Sequence, residues 1–407
     1  MPRLNIAGFL LVIVLCFAVV VILPKDPGAE AAENRSMTPW PELTSHGLTS
    51  GQFFKDIENY LLDNTAFRTR FLDFASNIEL FYGLPTTGGA TMVDFSSDDL
   101  GYGLTPILNT AQAEVFDQLR IGPVGERTLG QDINFNENAV LYLRYIEDPA
   151  LATRYAQVLN AHRYMARDDI RMFSMLAPVK VEFMDARYQA VNSSQRGTID
   201  LVNSLLTTGI IPVDVHTPLY NHQDEYIFFR LDHHWTALGA YYAYQAFATA
   251  AGFSYNPLDN FIAYKIDGFV GSLAVGTRNQ NILNSPDIIW FYKIDNGTLF
   301  SQSLHTIPED LSDACYRIFL GGDHALLYFS TSNTNGRTLV IVKDSFANAF
   351  VPFAAAHYQN IVMIDPRQYV GSISPILDQF DDIDLLFLNY MPATTMAELI
   401  EQIYNVR

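Results

Sequence analysis

From about residue 138 onward, short apolar runs typical of buried strands alternate with segments whose apolar residues recur at helical spacing. The predicted strands are IRMFSMLAPVKVEF, with a turn after its apolar part, and IIPVDV, RTLVIVKD, NIVMID and DIDLLFLNY. The predicted helices are NAVLYLRYIEDPALATRYAQVLNAHRYMA, SSQRGTIDLVNSLLTTG, HHWTALGAYYAYQAFATAAG, SFANAFVPFAAAH and TTMAELIEQIYN. Such alternation predicts an α/β fold in which a parallel sheet is flanked by helices.

The N-terminal pattern is different, because residues 4–24 carry no charged side chain. This length is close to the roughly 20 residues that an α-helix needs to cross a bilayer. Arg3 precedes the apolar run and acidic residues follow it, which favours an N-terminus inside and the rest of the chain outside the cytoplasm. A cleavable signal peptide ending near the AEA at 29–31 is the alternative, but the run is longer than the usual apolar core of about 7–15 residues. We therefore predict a transmembrane signal anchor.

These patterns divide the chain into three parts. Residues 1–24 form the predicted transmembrane anchor, and 25–95 form a linker followed by membrane-proximal helices, with apolar residues at helical spacing from 53 to 61. Residues 96–407 form the predicted α/β domain, in which 254–335 are expected to be an irregular insertion.

Composition excludes one class of partner. The 407 residues carry a formal net charge of −19, and no basic run exceeds two residues. Because phosphate backbones are bound by clustered Lys and Arg, this argues against a nucleic-acid partner. The two cysteines, Cys16 and Cys315, are too few for a disulfide framework, so Cys315 is expected to be an unpaired thiol.

The stretch Asp232-His233-His234-Trp235 is the first candidate site. Asp232 and His234 are two residues apart in a predicted loop before a helix, a spacing that lets a carboxylate reach and orient the imidazole of a general base. Two alternatives stay open: Asp232 as a helix cap, and the Asp and His side chains as ligands of a divalent metal. His233 would point elsewhere, as a packing or substrate-contacting group, and Trp235 is expected to pack, with stacking on a sugar as its alternative.

A second candidate is Ser345, which follows a predicted strand ending at Val342 and stands at the start of a predicted helix. Ligands of open α/β sheets gather at the carboxyl ends of parallel strands, and the first amides of a helix can stabilise a developing oxyanion. This position suits a nucleophile. Serine is also a favoured N-cap, so capping alone explains the same pattern.

Weaker candidates lie near other predicted strand ends and turns. The pair Gly321-Gly322, followed by Asp323, predicts a tight turn whose backbone amides could contact an oxyanion or substrate. The remaining candidates are Lys180, Asn389 and a second acid-x-His pair, Asp214 and His216, which competes for the acid and base roles with lower weight.

Four stretches, FFRLDHHWTALGAYYAY, FLGGDHAL, LVIVKDSFANAFVPF and IVMIDPRQY, together resemble the DHHW protein family of bacterial envelopes over roughly residues 35–407. That family is distantly similar to the SGNH-like O-acetyltransferase domains of alginate acetylation proteins. The resemblance implies an SGNH-hydrolase-like α/β fold in which Asp232 is the acid, His234 the base and Ser345 the nucleophile. Lys343 and Asp344 stand where many such serine turns have small residues.

The resemblance and the apolar N-terminus together predict a single-pass protein of the bacterial cell membrane whose C-terminal domain is extracytoplasmic. Its expected activity is that of a serine O-acyltransferase or esterase acting on a cell-envelope polysaccharide, with neither a cofactor nor a metal. Gly322, His233, Trp235, Asp323 and Asn389 are the expected substrate or oxyanion contacts. The acetylation systems suggest a multi-pass membrane acyltransferase as partner. The alternatives are a non-catalytic glycan-binding or assembly module and a metal-dependent phosphoesterase.

Overall fold

A computed structural model describes residues 140–277, 279–294 and 316–407, with short stretches at 40–41, 43–44, 53–54, 57, 60, 90–93 and 120–123. The chain divides into two compact units. The larger contains Thr87–Ser97, Leu104–Leu273 and Ser285–Arg407, and the smaller contains Met1–Thr86, Asp98–Gly103 and Ala274–Asn284.

The predicted anchor at 1–24 lies outside the described residues. Within the described part of the chain, none of the helices combines the length and the apolar character that crossing a bilayer requires. In the smaller unit, the described positions Phe53, Phe54, Ile57 and Tyr60 are helical. The predicted domain boundaries stay predictions.

A six-stranded sheet forms the centre of the larger unit, in the order β5-β4-β11-β9-β10-β8. One smaller sheet pairs β1 with β3, and the other has the order β2-β6-β7, with β6 in the middle. The strands are β1 Ala90–Val93, β2 Arg120–Pro123, β3 Val140–Leu143, β4 Arg171–Ala177, β5 Ile210–Pro212, β6 Phe261–Phe269, β7 Asp287–Ile294, β8 Leu326–Ser330, β9 Arg337–Lys343, β10 Asn360–Ile364 and β11 Asp382–Tyr390.

The six-stranded sheet is mixed. Five strands run parallel, but β8 pairs antiparallel with β10 at one edge, so the prediction of a parallel sheet is wrong there. Residues 331–336 connect β8 to β9, and this connection is shorter than the crossover of about a dozen residues that a parallel return needs.

Helices cover both faces of this sheet, as predicted. The helices in the described part of the chain are α1 Pro149–Met165, α2 Ala186–Gln189, α3 Gln195–Leu205, α4 His216–Asn221, α5 Ala237–Ala250, α6 Ser272–Thr277, α7 Gln280–Leu283, α8 Ala347–Ala354, α9 Ser374–Leu377 and α10 Ala397–Asn405. Helix α1 packs with α3 and α10, and α5 packs with α8. Phe387 of β11 contacts His162 of α1, whereas Phe173 of β4 contacts Phe247 of α5. Phe387 is in register with Ser174, the neighbour of Phe173, so the two helix layers lie on opposite faces.

Two predicted segments differ from the structure. The long helix predicted from residue 138 is wrong at its start, because β3 occupies Val140–Leu143 and helix α1 begins only where Asp148 caps it and Pro149 occupies its first turn. The segment 254–335 is not irregular throughout, since it contains β6, β7 and β8.

Candidate active site

Ser345 lies on the turn between β9 and α8, at the carboxyl end of a strand that is central in the sheet. Helix α8 begins at Ala347, and Phe346 occupies its N-cap position without a capping side chain. Asp344 braces the turn, because its Oδ1 accepts from the Phe346 amide and its Oδ2 accepts from the Tyr390 amide. The Ser345 hydroxyl is therefore not used as a helix cap.

The loop carrying Asp232, His233 and His234 runs into α5. Thr236 is the N-cap of this helix, and its hydroxyl accepts from the amide of Gly239. The capping interpretation of Asp232 is therefore wrong. An antiparallel bridge between Phe228 and Trp235 closes the loop on itself.

The three predicted catalytic residues meet in one hydrogen-bonded chain. Asp232 Oδ1 lies 2.5 Å from His234 Nδ1, and His234 Nε2 lies 2.6 Å from Ser345 Oγ. The His234 amide also donates to Asp232 Oδ1 over 2.9 Å, which fixes the carboxylate relative to the ring. With Asp232 ionised, His234 carries its proton on Nδ1, and Nε2 is left to accept the Ser345 hydroxyl proton.

Burial alone would raise the pKa of Asp232, but the imidazoles of His234 and His233 and the hydrogen bonds from His234 hold this pKa well below its ordinary value. The carboxylate is 1% exposed, whereas Ser345 retains 9% exposure. In this hydrogen-bonded chain the Asp232 carboxylate is thus enclosed and ionised, whereas Ser345, at the other end, is the more exposed of the two residues.

Ser272 is a site residue that the sequence analysis missed. Its amide and its hydroxyl both donate to Asp232 Oδ2, each over 2.8 Å. Gly271 makes this approach possible, since a Cβ at that position would lie 2.6 Å from Asp232 Cβ. The sequence signal is only a Gly-Ser pair before a short helix, and nothing in the chain pattern places it beside residue 232.

Aromatic rings enclose the base. The ring of Tyr316 lies flat on the imidazole of His234, with centroids 3.7 Å apart and planes at 5°. Trp235 is fully buried and its Nε1 donates to the carbonyl of Phe346 over 2.9 Å. Trp235 therefore ties the Asp-His loop to the serine turn, and it is not exposed for stacking on a sugar.

The side chain of Lys180 binds the backbone of the same loop. Its ammonium group donates to the backbone carbonyls of Leu141, Arg230 and Asp232, at 2.5, 3.1 and 3.1 Å. Burial lowers the pKa of Lys180 to about 7, although the nearby carboxylates of Asp287 and Asp232 act in the opposite direction. The weak sequence candidate Lys180 is thus a positioning group for the segment on either side of Leu231.

A buried cluster of charged residues lies beside the serine turn. Lys343, two residues before Ser345, is part of this cluster. Lys343 Nζ donates to Asp323 over 2.5 Å and to Asn348 over 2.9 Å, and Arg367 pairs with both Asp323 and Asp365. Burial would raise the pKa of Asp323, but Lys343 and Arg367 hold it well below its ordinary value. Asp323 is therefore a structural anion of this cluster and does not meet the triad directly.

Two further predicted substrate or oxyanion contacts are Gly322 and Asn389. The amide of Gly322 donates to the carbonyl of Phe319, so it is already committed to the turn in which Gly322 has a φ of 106°. Asn389 is fully buried and its Oδ1 accepts from the hydroxyl of Tyr155. The Gly322 amide is therefore not a free oxyanion donor. The Nδ2 atom of Asn389 has no hydrogen-bond partner among the described residues, and the oxyanion or substrate role of Asn389 stays a prediction.

The competing acid-x-His pair does not form a catalytic pair. Asp214 accepts from the amide and hydroxyl of Thr217 at the start of α4, and His216 Nε2 contacts Glu182 at 3.0 Å. Asp214 thus binds the first turn of α4, and His216 forms a separate, largely buried pair with Glu182.

The metal interpretation has a geometric basis, because Asp232, His233 and His234 each offer a ligand atom and these atoms lie within 4.8 Å of one another. In this arrangement the atoms already bond to each other and to Ser272. A metal bound by all three would have to replace the hydrogen bonds that orient His234 toward the serine.

Fold and site together define an α/β domain with a mixed sheet flanked by helices and a buried Ser-His-Asp arrangement at the carboxyl ends of its parallel strands. The family model described as DHHW protein matches residues 124–364, which is more than half of the chain. The chain therefore belongs to the DHHW family, as the sequence resemblance predicted.

The chain is also similar to solved structures. A DHHW family protein from Eubacterium siraeum is 29% identical with a TM-score of 0.60, covering 65% of this chain and 90% of that one. Bacillus cereus PatB1, in a structure with a sulfonyl adduct, is 14% identical with a TM-score of 0.52, covering 65% and 95%. The O-acetyltransferase domain of Pseudomonas putida AlgJ is 14% identical with a TM-score of 0.34, covering 64% and 89%. No curated protein matches the chain.

Proposed function

We propose that this protein is a serine O-acyltransferase or esterase that acts on a cell-envelope polysaccharide. The observation that carries the proposal is the continuous chain from Ser345 Oγ through His234 to Asp232, with contacts of 2.6 and 2.5 Å. An ionised carboxylate, a correctly oriented imidazole and a hydroxyl within hydrogen-bond reach are the parts that nucleophilic acyl transfer needs.

In the first half-reaction, Ser345 Oγ attacks the carbonyl carbon of an acyl ester while His234 Nε2 takes the hydroxyl proton. The tetrahedral intermediate collapses when the ester bond breaks, and His234 returns that proton to the departing alcohol. Asp232 stabilises the imidazolium that exists between these two transfers, because its carboxylate stays ionised in the buried site.

In the second half-reaction, a sugar hydroxyl or a water molecule attacks the acyl-serine. His234 Nε2 takes the proton of the attacking group and returns it to Ser345 Oγ as the acyl bond to the enzyme breaks. Among the described residues, the Ser345 amide has no acceptor, whereas the Phe346 amide is bonded to Asp344. The Ser345 amide is therefore the donor that we assign to the oxyanion.

The setting of the reaction rests on other support. The uncharged segment 4–24 supports a membrane anchor with the catalytic domain outside the cytoplasm. The resemblance to acetylation systems supports a polysaccharide acceptor and a multi-pass membrane acyltransferase that delivers the acyl group. Neither a cofactor nor a metal enters the steps above.

The decisive experiment compares Ser345→Ala with a control, Ser204→Ala, whose hydroxyl only donates to the carbonyl of Leu201 on the exposed surface. We expect Ser345→Ala to abolish turnover of para-nitrophenyl acetate and labelling by a sulfonyl fluoride, and Ser204→Ala to retain both. The sulfonyl reagent is chosen because PatB1 carries a sulfonyl adduct. Wild-type protein that neither turns over the ester nor is labelled would indicate a binding module.

Removal of metal ions with EDTA distinguishes the serine mechanism from a metal-dependent phosphoesterase. The phosphoesterase is favoured by the spacing of Asp232, His233 and His234. A serine acyltransferase keeps its activity after treatment with EDTA. Activity lost to EDTA and restored by a divalent metal, with that metal found by elemental analysis, would support a phosphoesterase instead.

A further inference from the structure

His233 has a hydrogen-bond arrangement that the triad does not use. The hydroxyl of Ser272 has one proton, which it donates to Asp232 Oδ2, and the same oxygen lies 3.1 Å from His233 Nδ1. Ser272 Oγ can therefore only accept from His233, so Nδ1 carries the ring proton. Burial and the neighbouring His234 lower the pKa of His233 to about 3, so the ring is neutral and its Nε2 holds a lone pair.

One carboxylate thus orients two imidazoles. Asp232 Oδ1 binds His234 directly, and Asp232 Oδ2 binds His233 through Ser272. The two rings lie 3.8 Å apart between centroids. Within the described residues, His233 Nε2 has no hydrogen-bond partner, although the residue is only 7% exposed.

A neutral, oriented acceptor this close to the base is more than packing requires, since an apolar ring would fill the same space without a polar atom to satisfy. Both Nδ1 atoms face the Asp232 carboxylate and Ser272, so the Nε2 atoms of the two neighbouring rings turn away from the carboxylate, and that of His234 meets Ser345. A hydroxyl next to the one at His234 Nε2 therefore lies on the side to which His233 Nε2 turns.

We propose that His233 Nε2 accepts a hydrogen bond from a hydroxyl adjacent to the one that attacks the acyl-serine, and that His233 thereby selects vicinal diols as acyl acceptors. This role rests on the proposed function. His234 removes the proton of the attacking hydroxyl, whereas His233 makes no proton transfer and only holds the neighbouring hydroxyl in place. Water lacks that second hydroxyl, so the contact favours transfer over hydrolysis.

Two substitutions separate this role from a structural one. In His233→Asn the side-chain amide can reproduce the Nδ1–H donor to Ser272 but not the Nε2 acceptor, whereas in His233→Gln the amide oxygen can occupy the Nε2 position without the Nδ1 donor. With para-nitrophenyl acetate as donor, we measure the ratio of acetyl transfer to glycerol, a vicinal diol, over transfer to propanol, which has one hydroxyl.

We expect wild-type protein to prefer glycerol, His233→Asn to lose at least about fivefold of that preference, and His233→Gln to retain most of it, since one hydrogen bond contributes about 1 kcal/mol. Ser204→Ala serves as the control and retains the wild-type ratio. The opposite order, with Asn retaining the preference and Gln losing it, would assign His233 to the support of Ser272 and overturn the role. So would a wild-type preference that is absent or that survives in His233→Asn.

The two proposals fail differently. Wild-type protein without ester turnover and without Ser345 labelling overturns the proposed function and this role with it. Wild-type protein that is labelled and turns over the ester, but does not discriminate between the two alcohols, overturns only the role of His233.

Discussion

Ser272 donates two hydrogen bonds to Asp232 Oδ2, one from its amide and one from its hydroxyl, and both are 2.8 Å long. The other carboxylate oxygen binds His234. One carboxylate oxygen is therefore held from within the loop, by His234, and the other from a distant segment, by Ser272, so the carboxylate cannot rotate without breaking hydrogen bonds on each side. The orientation of the base depends on the Ser272 hydrogen bonds as well as on the Asp-His pair itself.

Replacing Ser272 with alanine removes the hydroxyl bond and leaves the amide bond in place. We expect kcat/KM for para-nitrophenyl acetate to fall about tenfold or more, because a hydrogen bond to a charged group contributes about 1.5–3 kcal/mol. Steady-state kinetics measure the change, with Ser204→Ala as the control for a serine hydroxyl lost elsewhere. Kinetics identical to wild type would show that the amide alone positions Asp232.

Replacing Asp232 with asparagine keeps the size of the side chain and removes its charge. An amide that donates toward Nδ1 would place the imidazole proton on Nε2, where His234 could no longer accept from Ser345. We expect kcat to fall by a factor on the order of 10⁴, the scale known for such a substitution in serine triads. Circular dichroism checks that the variant is folded, and a fall of less than tenfold would contradict the assigned role.

Gly271 and Gly197 offer a matched pair of glycine substitutions. A Cβ at Gly271 would collide with the carbonyl oxygen of Leu231 and lie 2.6 Å from Asp232 Cβ, whereas a Cβ at Gly197 in α3 would meet only Ser194, at 3.9 Å. We expect Gly271→Ala to lower the free energy of unfolding by about 1–3 kcal/mol or more and to lower activity. Gly197→Ala should raise it by about 0.5–1 kcal/mol, as alanine does within a helix.

Chemical denaturation measures both variants against wild type. Equal stability of the two variants would mean that the Gly271 segment and the Asp232 loop can separate without cost. An unchanged kcat in Gly271→Ala would show that the Asp232 loop tolerates the shift.

The pH dependence of stability tests Lys180. Its pKa is about 7 in the folded protein and near its ordinary 10.5 in the unfolded chain, so between these values the unfolded chain binds more protons. The contribution of Lys180 to the free energy of unfolding therefore rises with pH between about 7 and 10.5, by at most about 1.4 kcal/mol per pH unit.

The comparison is with Lys180→Met, which has no proton to lose. We expect the free energy of unfolding of wild type minus that of Lys180→Met to increase from neutral to alkaline pH, as measured by urea denaturation at several pH values. A difference that is constant with pH would show that Lys180 titrates normally in the folded protein.

Much of the sheet was predictable because its strands are buried on both sides. Strands β9, β10 and β11 read as continuous apolar runs, and the helices after β9 and β11 follow from their 3.6-residue periodicity. The edge strand β8 was not predicted, because its short run LLYFS lies within the aromatic segment 254–335, whose sequence predicts an irregular insertion. The start of α1 was missed because two apolar patterns, one of a strand and one of a helix, adjoin at Asp148.

The site residues likewise fall into those that local sequence patterns indicated and those that only the fold brings together. The sequence by itself singled out Asp232, His234 and Ser345 as candidates, since the first two are two residues apart and the third stands at a strand-to-helix turn, and the family resemblance grouped them as acid, base and nucleophile. It also determined the family. Only the tertiary structure decided what surrounds them. Ser272 binds the carboxylate, Tyr316 stacks on the imidazole, Lys180 binds the backbone of the loop, and Ser272 also orients the ring of His233. These contacts join residues 39 or more positions apart, such as His233 with Ser272, and local periodicity carries no information about which distant segments fold together.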